Sequence, residues 1–266
     1  MAARRGHEVT RMPIALATSE KWSQLSPDDG ELIPELKKLD VDARPVVWSD
    51  AVVDWRAFDL VVIRSCWDYH LRADEFSAWI DRLARERVPM FNPPEVLRWN
   101  MHKSYLLDLA AKGVRIPRTR FERDVIVKPA VSASAHQTHL LRGDVIVQEF
   151  VHEIVDDGEW SLVFFDRHFS HAVKKAPKSG DFRVQEELGG SVTPITPGQP
   201  MIDEAQRILG HVGGELLYAR VDVVNRPAGV TLMELELLEP TLFLSTDLAA
   251  TRRFAEAIAR RSKSPA

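Results

Sequence analysis

The sequence predicts an α/β protein that opens on a small parallel sheet and continues into antiparallel strands. Three observations carry this. Short apolar runs alternate with amphipathic stretches through the first third of the chain. One of those runs, Phe58-Asp59-Leu60-Val61-Val62-Ile63, is nearly unbroken, as in a strand buried on both faces. After residue 116 the helical spacing gives way to strand-like runs with little room for helices.

The elements follow in order. Pro13 to Ala17 reads as a strand, and Glu31 to Leu39 as a helix with Leu32, Leu36 and Leu39 on one face. Ala43 to Trp48 is a second strand and Phe58 to Ile63 a third. Glu75 to Arg87 carries Phe76, Trp79, Ile80 and Leu83 at i, i+3, i+4, i+7, an amphipathic helix. Met90 to Asn92 is a strand that ends at Pro93-Pro94. Residues 102–113 read as a helix stopped by Gly113. Val125-Ile126-Val127, Val145-Ile146-Val147, Trp160 to Phe165 and Phe169 to Lys174 are strands. Met201 to Val212 is a helix, Leu217 to Val224 and Gly229 to Leu237 are strands, and Thr246 to Arg261 is a last helix capped by Ser245 or Thr246.

The 266 residues carry a net charge of −4, with 45% hydrophobic and 28% charged residues. That is enough apolar material for one large domain or a few small ones, at roughly 100–200 residues each. No stretch approaches the roughly 18 apolar residues of a membrane span, and the first residues lack the apolar core of a secretory signal. The slightly acidic balance gives no pull on nucleic acid. A cytoplasmic protein is expected, with neither nucleic acid nor membrane as partner. The single Cys66 excludes an internal disulfide and a cysteine-rich zinc module, and reads as a small buried filler. The spaced pairs His136/His139 and His168/His171 fall in loop and strand and read as exposed rather than metal-binding.

The residues with most chemistry lie late in the chain. Glu234 and Glu236 alternate with apolar residues, so they share one strand face, and Asp222 on a neighbouring strand is placed to join them. Two readings stand. Converging carboxylates need a neutralising cation, and hard oxygen ligands suit Mg²⁺ bound to phosphates. Alternatively the face is solvated. Lys128, at the end of Val125-Ile126-Val127 and before the small residues 130–135, is placed to reach phosphate oxygens beside loop N–H groups, or to snorkel at the surface. Arg64-Ser65-Cys66-Trp67-Asp68-Tyr69 follows a buried strand, and ligands of open α/β sheets bind beyond such strand ends. Arg64 could pair with a substrate carboxylate while Trp67 and Tyr69 wall the pocket; the two rings could equally be interdomain packing.

Taken in order, Lys103, Ile116-Pro117-Arg118-Thr119, VIVKP (125–129), VQEFV (147–151), GEWSLVFF (158–165), the arginine of GDFRVQEELGG (180–190), RVDVV (220–224) and MELELLEPTLFL (233–244) resemble the ATP-grasp superfamily. The branch is that of glutathione synthetase and the ribosomal-protein glutamate ligases. RSCWDYH (64–70) and LLEPTLFL are similar to a subgroup that includes the cyclising ligase of D-cycloserine biosynthesis. The resemblance covers about residues 90–260, with 13–92 matching the usual N-terminal domain.

It implies an ATP-grasp fold in three units: an N-terminal α/β substrate-side domain (12–98), a shortened central lid (99–151) and a C-terminal catalytic domain (152–262). It implies a ligase forming C–N bonds on a small amino-acid-like substrate through an acyl phosphate, with ATP and two Mg²⁺ (or Mn²⁺) ions, in antibiotic biosynthesis, as an intramolecular cyclisation in the narrower reading. A homodimer is common among relatives. The rival readings are a nucleotide-binding module with reduced catalysis and a peptide- or protein-modifying ligase.

By the same resemblance, Lys103 and Lys128 would bind the α- and β-phosphates. Gln148, Glu149, Phe150 and Val151 would line the adenine, read by the Gln148 side chain and the backbone of Glu149 and Val151. Glu159, or Glu153 in its place, would take the ribose. Arg183, with Lys128, would stabilise the transferring phosphoryl group, although the residue also reads as an ordinary surface arginine. Asp222, Glu234 and Glu236 would hold the metal, and Glu239 would meet a substrate amine.

The chain departs from the family where helices normally back the lid: residues 119–124 and 136–144 leave no room for one. A bare small sheet is expected there, with Ser132-Ala133-Ser134-Ala135 in place of the usual glycines. Ser161 stands where many relatives have a basic residue, and Glu236 where many have asparagine.

Overall fold

The structure is a computed structural model that describes residues 12–130, 138–178, 189–247 and 249–263. Arg183, His136 and the segment 132–135 therefore lie outside the described residues.

The first layer is a parallel sheet of β1 (Ile14–Thr18), β2 (Ala43–Val47), β3 (Leu60–Ile63) and β4 (Met90–Phe91), in the order β2-β1-β3-β4. α1 (Leu32–Lys38) and α2 (Ala73–Arg85) are the crossovers. Every residue of β1 and β3 is buried, which accounts for their unbroken apolar runs. α2 buries Phe76, Trp79, Ile80 and Leu83 as its spacing requires, with Asp74 and Glu75 in its first turn and Arg82 and Arg85 in its last.

The sequence reading missed α3 (Pro94–Met101), having taken Pro93-Pro94 as a strand end. Pro94 instead occupies the first helical turn, where its missing N–H costs nothing. The helix expected over 102–113 is shorter, α4 (Tyr105–Ala111). His102 and Lys103 lie in the junction between α3 and α4, with His102 extended.

β5 (Thr119–Val127) and β6 (His139–Gln148) form a separate two-stranded antiparallel sheet, longer than the short apolar runs suggested. Its register shifts near Asp124, whose carboxylate accepts the Gly143 N–H at 2.9 Å. Ile126 and Leu140, paired across it, are 61% and 51% exposed.

The short α5 (Glu153–Asp156) leads into β7 (Glu159–Phe165), β8 (His168–Ala176) and β9 (Ser191–Ile195). α6 (Gln199–Gly210) then precedes β10 (Tyr218–Arg226) and β11 (Gly229–Glu236). These five strands form an antiparallel sheet, order β11-β10-β7-β8-β9. α5 and β9 were not foreseen.

α7 (Ala250–Lys263) starts later than expected. Leu244–Thr246 is a separate helical turn, and the Ser245 hydroxyl is engaged with Asp28 at 3.1 Å. The Asp247 carboxylate takes the Ala249 N–H at 2.9 Å just ahead of α7, the capping role assigned to Ser245 or Thr246.

Three apolar clusters hold the layers. One joins Ile14, Leu16, Leu32 and Leu36 to Phe165, Phe254 and Ile258, so α7 packs between the parallel sheet and the antiparallel one. A second lies under α2, and a third fills the space between α3, α4, α6 and the five-stranded sheet. Cys66 is fully buried, as expected. His171 is not exposed as the sequence suggested: it is buried, with Nε2 at 2.8 Å from the Leu242 carbonyl, while His139 and His168 are exposed. Among the described residues no helix is long and apolar enough to cross a membrane.

Candidate active site

The site is built on β10 and β11. Their register sets Asp222 opposite Glu234 and Arg220 opposite Glu236. One oxygen from each of Asp222, Glu234 and Glu236 falls within 4.8 Å of the others, so the three carboxylates do converge. Asp222 is buried and the two glutamates are partly exposed, which removes the reading of a plain solvated face.

Cations of the same chain surround this set. Arg220, two residues before Asp222 and so on the same strand face, donates to Asp222 at 3.0 Å and to Glu236. Lys175, from β8, lies 2.9 Å from Asp222 and 2.5 Å from Glu159. Lys103 reaches Glu234 from the α3–α4 junction. Burial alone would raise the pKa of Asp222, but Arg220 and Lys175 outweigh it and hold the carboxyl well below its usual range. Burial raises Glu159 in spite of its lysine. Lys175 stays charged: burial lowers its pKa, and Asp222 and Glu159 more than restore it.

The free edge of β11 is satisfied by side chains rather than by another strand. The Leu235 N–H donates to the Tyr105 hydroxyl at 2.9 Å. The Asn100 amide donates to the Leu235 carbonyl and accepts from the Leu237 N–H, both at 2.8 Å. Asn92 bridges the strand ends, donating to the Tyr218 and Leu237 carbonyls at 2.9 and 2.7 Å. These bonds fix α3 and α4, and thus the junction that bears Lys103, against the acidic strand.

The remaining predicted nucleotide residues lie on the β5–β6 hairpin and just beyond it. Lys128 follows β5 and is exposed. The Gln148 amide donates to the Thr119 hydroxyl at 3.0 Å, and the Glu149 N–H to the Arg118 carbonyl at 3.0 Å. The Glu149 and Glu153 carboxylates share Arg226, at 2.9 and 3.3 Å. Phe150 is half exposed and Val151 buried. Glu159 lies in the acidic cluster against Lys175, apart from Glu153 and its arginine.

At the end of β3, Arg64 is 1% exposed. It pairs with Asp29 at 2.9 Å, donates to the Pro240 carbonyl at 3.1 Å, and lies over the rings of Tyr218 and Phe254. Its carboxylate partner is thus a residue of this chain, and it clamps the segment that follows β11. The Trp67 indole donates to the Glu239 carbonyl at 2.9 Å, with Trp22 edge-on to it, and burial together with the nearby Glu239 carboxyl raises the Tyr69 hydroxyl's pKa. Burial, reinforced by Glu236 and opposed by Arg220 and Lys103, pushes the Glu239 carboxyl up to about 8.

Comparison with known proteins places this architecture. Residues 14–92 match the family model for the N-terminal domain of D-cycloserine synthetase DcsG. The cycloserine biosynthesis protein DcsG of Streptomyces lavendulae is 28% identical, over 94% of this chain and 99% of that protein. The crystal structure of D-cycloserine synthetase DcsG superposes with a TM-score of 0.78 at 26% identity, covering 94% of this chain and 99% of that one. The chain has the ATP-grasp fold and is homologous to DcsG. The same ATP-grasp architecture is shared with D-alanine–D-alanine ligase from Bacillus anthracis complexed with ATP (TM-score 0.62, 14% identity, 94% and 99% covered). It is shared also with the ATP-grasp ligase PsnB complexed with minimal precursor, Mg and ADP (TM-score 0.59, 14% identity, 94% and 98% covered).

Two charged residues of this site escaped the sequence reading. Arg220 carried a signal, since the period-2 argument that grouped Glu234 with Glu236 also puts Arg220 beside Asp222. Lys175 carried none, because only the register of β7, β8 and β10 brings it to Asp222. Hard oxygen donors on a rigid strand pair, facing a lysine on a separate element, can hold a divalent cation and a polyphosphate together.

Proposed function

We propose that this protein is an ATP-dependent ligase that forms a C–N bond on a small amino-acid-like molecule, and that the reaction is an intramolecular cyclisation of the D-cycloserine type. One observation carries the reading. The DcsG-like chain retains a convergent carboxylate set, Asp222, Glu234 and Glu236, with Lys103 facing it. The donor set fits Mg²⁺, being all carboxylate oxygen, and two ions are proposed, with Mn²⁺ as a substitute. When bound, such ions neutralise phosphate charge and orient the transferring group.

The chain's own residues supply the rest. Lys103 and Lys128 are assigned to the phosphates, and Gln148, Glu149, Phe150 and Val151 to the adenine. Arg183 is assigned to the transferring phosphoryl group. A substrate carboxylate oxygen would attack the γ-phosphorus, releasing ADP and giving an acyl phosphate. The amine then displaces phosphate from the activated carbon. Glu239 and Tyr69 meet that amine, with Trp67 as a wall. The working units are 12–98, 99–151 and 152–262, and a homodimer is the proposed assembly.

ADP release, measured with amino-acid mixtures and followed by mass spectrometry for a cyclised product, tests this. Full turnover by Glu234→Gln would remove the metal assignment. The bare β5–β6 hairpin favours one rival, a nucleotide-binding module with reduced catalysis. That rival predicts nucleotide binding without ADP release in any mixture.

A further inference from the structure

The segment that follows β11 lies outside the sheets, yet five of its carbonyls in succession accept side chains from other elements. The Leu238 carbonyl takes the Tyr218 hydroxyl at 2.7 Å, and the Glu239 carbonyl takes the Trp67 indole at 2.9 Å. The Pro240 and Thr241 carbonyls take Arg64 and Arg220, both at 3.1 Å. The Leu242 carbonyl lies 2.8 Å from His171 Nε2. Phe243 then bends the chain at φ 52°, a left-handed conformation that is costly for a bulky side chain and persists only where the surroundings hold it. Beyond the bend, the Phe243 carbonyl takes the Thr246 N–H and hydroxyl at 3.0 and 2.7 Å. On the Glu239 side, the hold adjoining the bend is His171.

His171 differs from the other four donors. A tyrosine hydroxyl, an indole and a guanidinium always have a hydrogen to give, whereas a neutral imidazole carries its hydrogen on either ring nitrogen. A relay beginning beside α7 directs it. Asp247 holds the Arg253 guanidinium, whose Nε donates to the Ser170 hydroxyl oxygen at 2.9 Å. Arginine only donates, so the Ser170 hydrogen is free to turn to His171 Nδ1, 2.9 Å away. The ring's own hydrogen then sits on Nε2 and faces Leu242. Burial pushes the imidazole pKa below its ordinary value and Arg253 adds to this, while the Leu242 bond, Asp247 and Asp28 pull the other way. The Phe165 ring packs beside it, 6.2 Å between centroids.

We propose that His171 is a positioning residue: the Asp247–Arg253–Ser170 relay aims its Nε2–H at the Leu242 carbonyl, which holds the bend at Phe243 and so keeps Glu239 in place at the substrate. The inference rests on the assignment of Glu239 to the substrate amine and extends it to residues outside the pocket.

The test uses the full chain with ¹⁵N-labelled histidine and tryptophan. At pH 7 the His171 ring is expected to be neutral, with hydrogen on Nε2 and none on Nδ1. His171→Leu is expected to speed hydrogen exchange of the Trp67 indole N–H tenfold or more, and to leave unchanged the Trp48 indole, which is bonded to Asp68 instead. In ADP release with an amino-acid mixture that supports turnover, the same variant should lose tenfold or more in kcat/KM for the amino acid while KM for ATP holds. His171→Gln, which keeps an uncharged donor, should restore most of both. Ser170→Ala, which keeps the ring, should speed the Trp67 exchange to a lesser degree. A wild-type ring that is charged or carries its hydrogen on Nδ1 overturns the inference. So does a Trp67 exchange rate that neither His171→Leu nor Ser170→Ala moves, or one that rises only in step with Trp48. Failure of every mixture to support turnover counts against the ligase reading, and the inference about Glu239 falls with it; the tautomer and exchange results still decide whether the relay holds the bend.

Discussion

The β10–β11 and β5–β6 pairs are both antiparallel, and their strands run eight to ten residues. In the first, Val221, Val223, Leu232 and Leu235 are buried against helices, and the other face carries the acidic set with its cations. The free edge of that pair is closed by Tyr105 and Asn100. In the second, Ile126, Val127, Leu140 and Leu141 are exposed, and among the described residues the sheet holds just these two strands. Identical local geometry thus serves opposite ends. The buried pair can hold charges in place because packing fixes the backbone beneath them, while the bare pair has little to fix it.

Changes in the two pairs should therefore differ in size. The largest effect is expected from Lys175→Met, which leaves Asp222 and Glu159 short of a buried cation; denaturant titration should show a loss of about 3–5 kcal/mol. Adding Asp222→Asn should recover part of that loss, and failure to do so would mean that Lys175 stabilises through packing alone. Next comes Asn100→Ala, which strips two hydrogen bonds from the edge of β11 and should cost about 1–3 kcal/mol.

A pH effect follows from Glu239. Its folded pKa of about 8 lies above the ordinary 4.5, so the folded state holds a proton that the unfolded state has released between those values. Stability should fall as pH rises from about 4.5 to 8, and Glu239→Gln should flatten that slope in thermal melts across the window. The smallest effect belongs to the hairpin: Ile126→Ser with Leu140→Ser should shift global stability by less than about 0.5 kcal/mol. Limited proteolysis should nevertheless cut the hairpin well before the β10–β11 pair, and equal resistance would show that the hairpin is packed after all.

What could be read from the sequence follows from how local each signal is. The parallel sheet was legible because β1 and β3 are buried on both faces and α2 shows its stripe within thirteen residues. The convergence of Glu234, Glu236 and Asp222 was legible because a strand period is fixed by geometry. α3 was not, since Pro93-Pro94 signals a break as well as a start. His171 was misjudged because its burial depends on the Leu242 carbonyl, far along the chain. Arg64 shows the same limit: its spacing permits a ligand, and only the fold shows that Asp29, thirty-five positions earlier, holds it.

The position of α7 has a consequence for synthesis. Its Phe254 and Ile258 share a cluster with Leu16, Leu32 and Leu36, so one flank of the parallel sheet stays uncovered until α7, made some two hundred residues later, leaves the ribosome. Nascent chains halted near residue 247 should expose that flank and engage holdase chaperones, and emergence of α7 should end their grip.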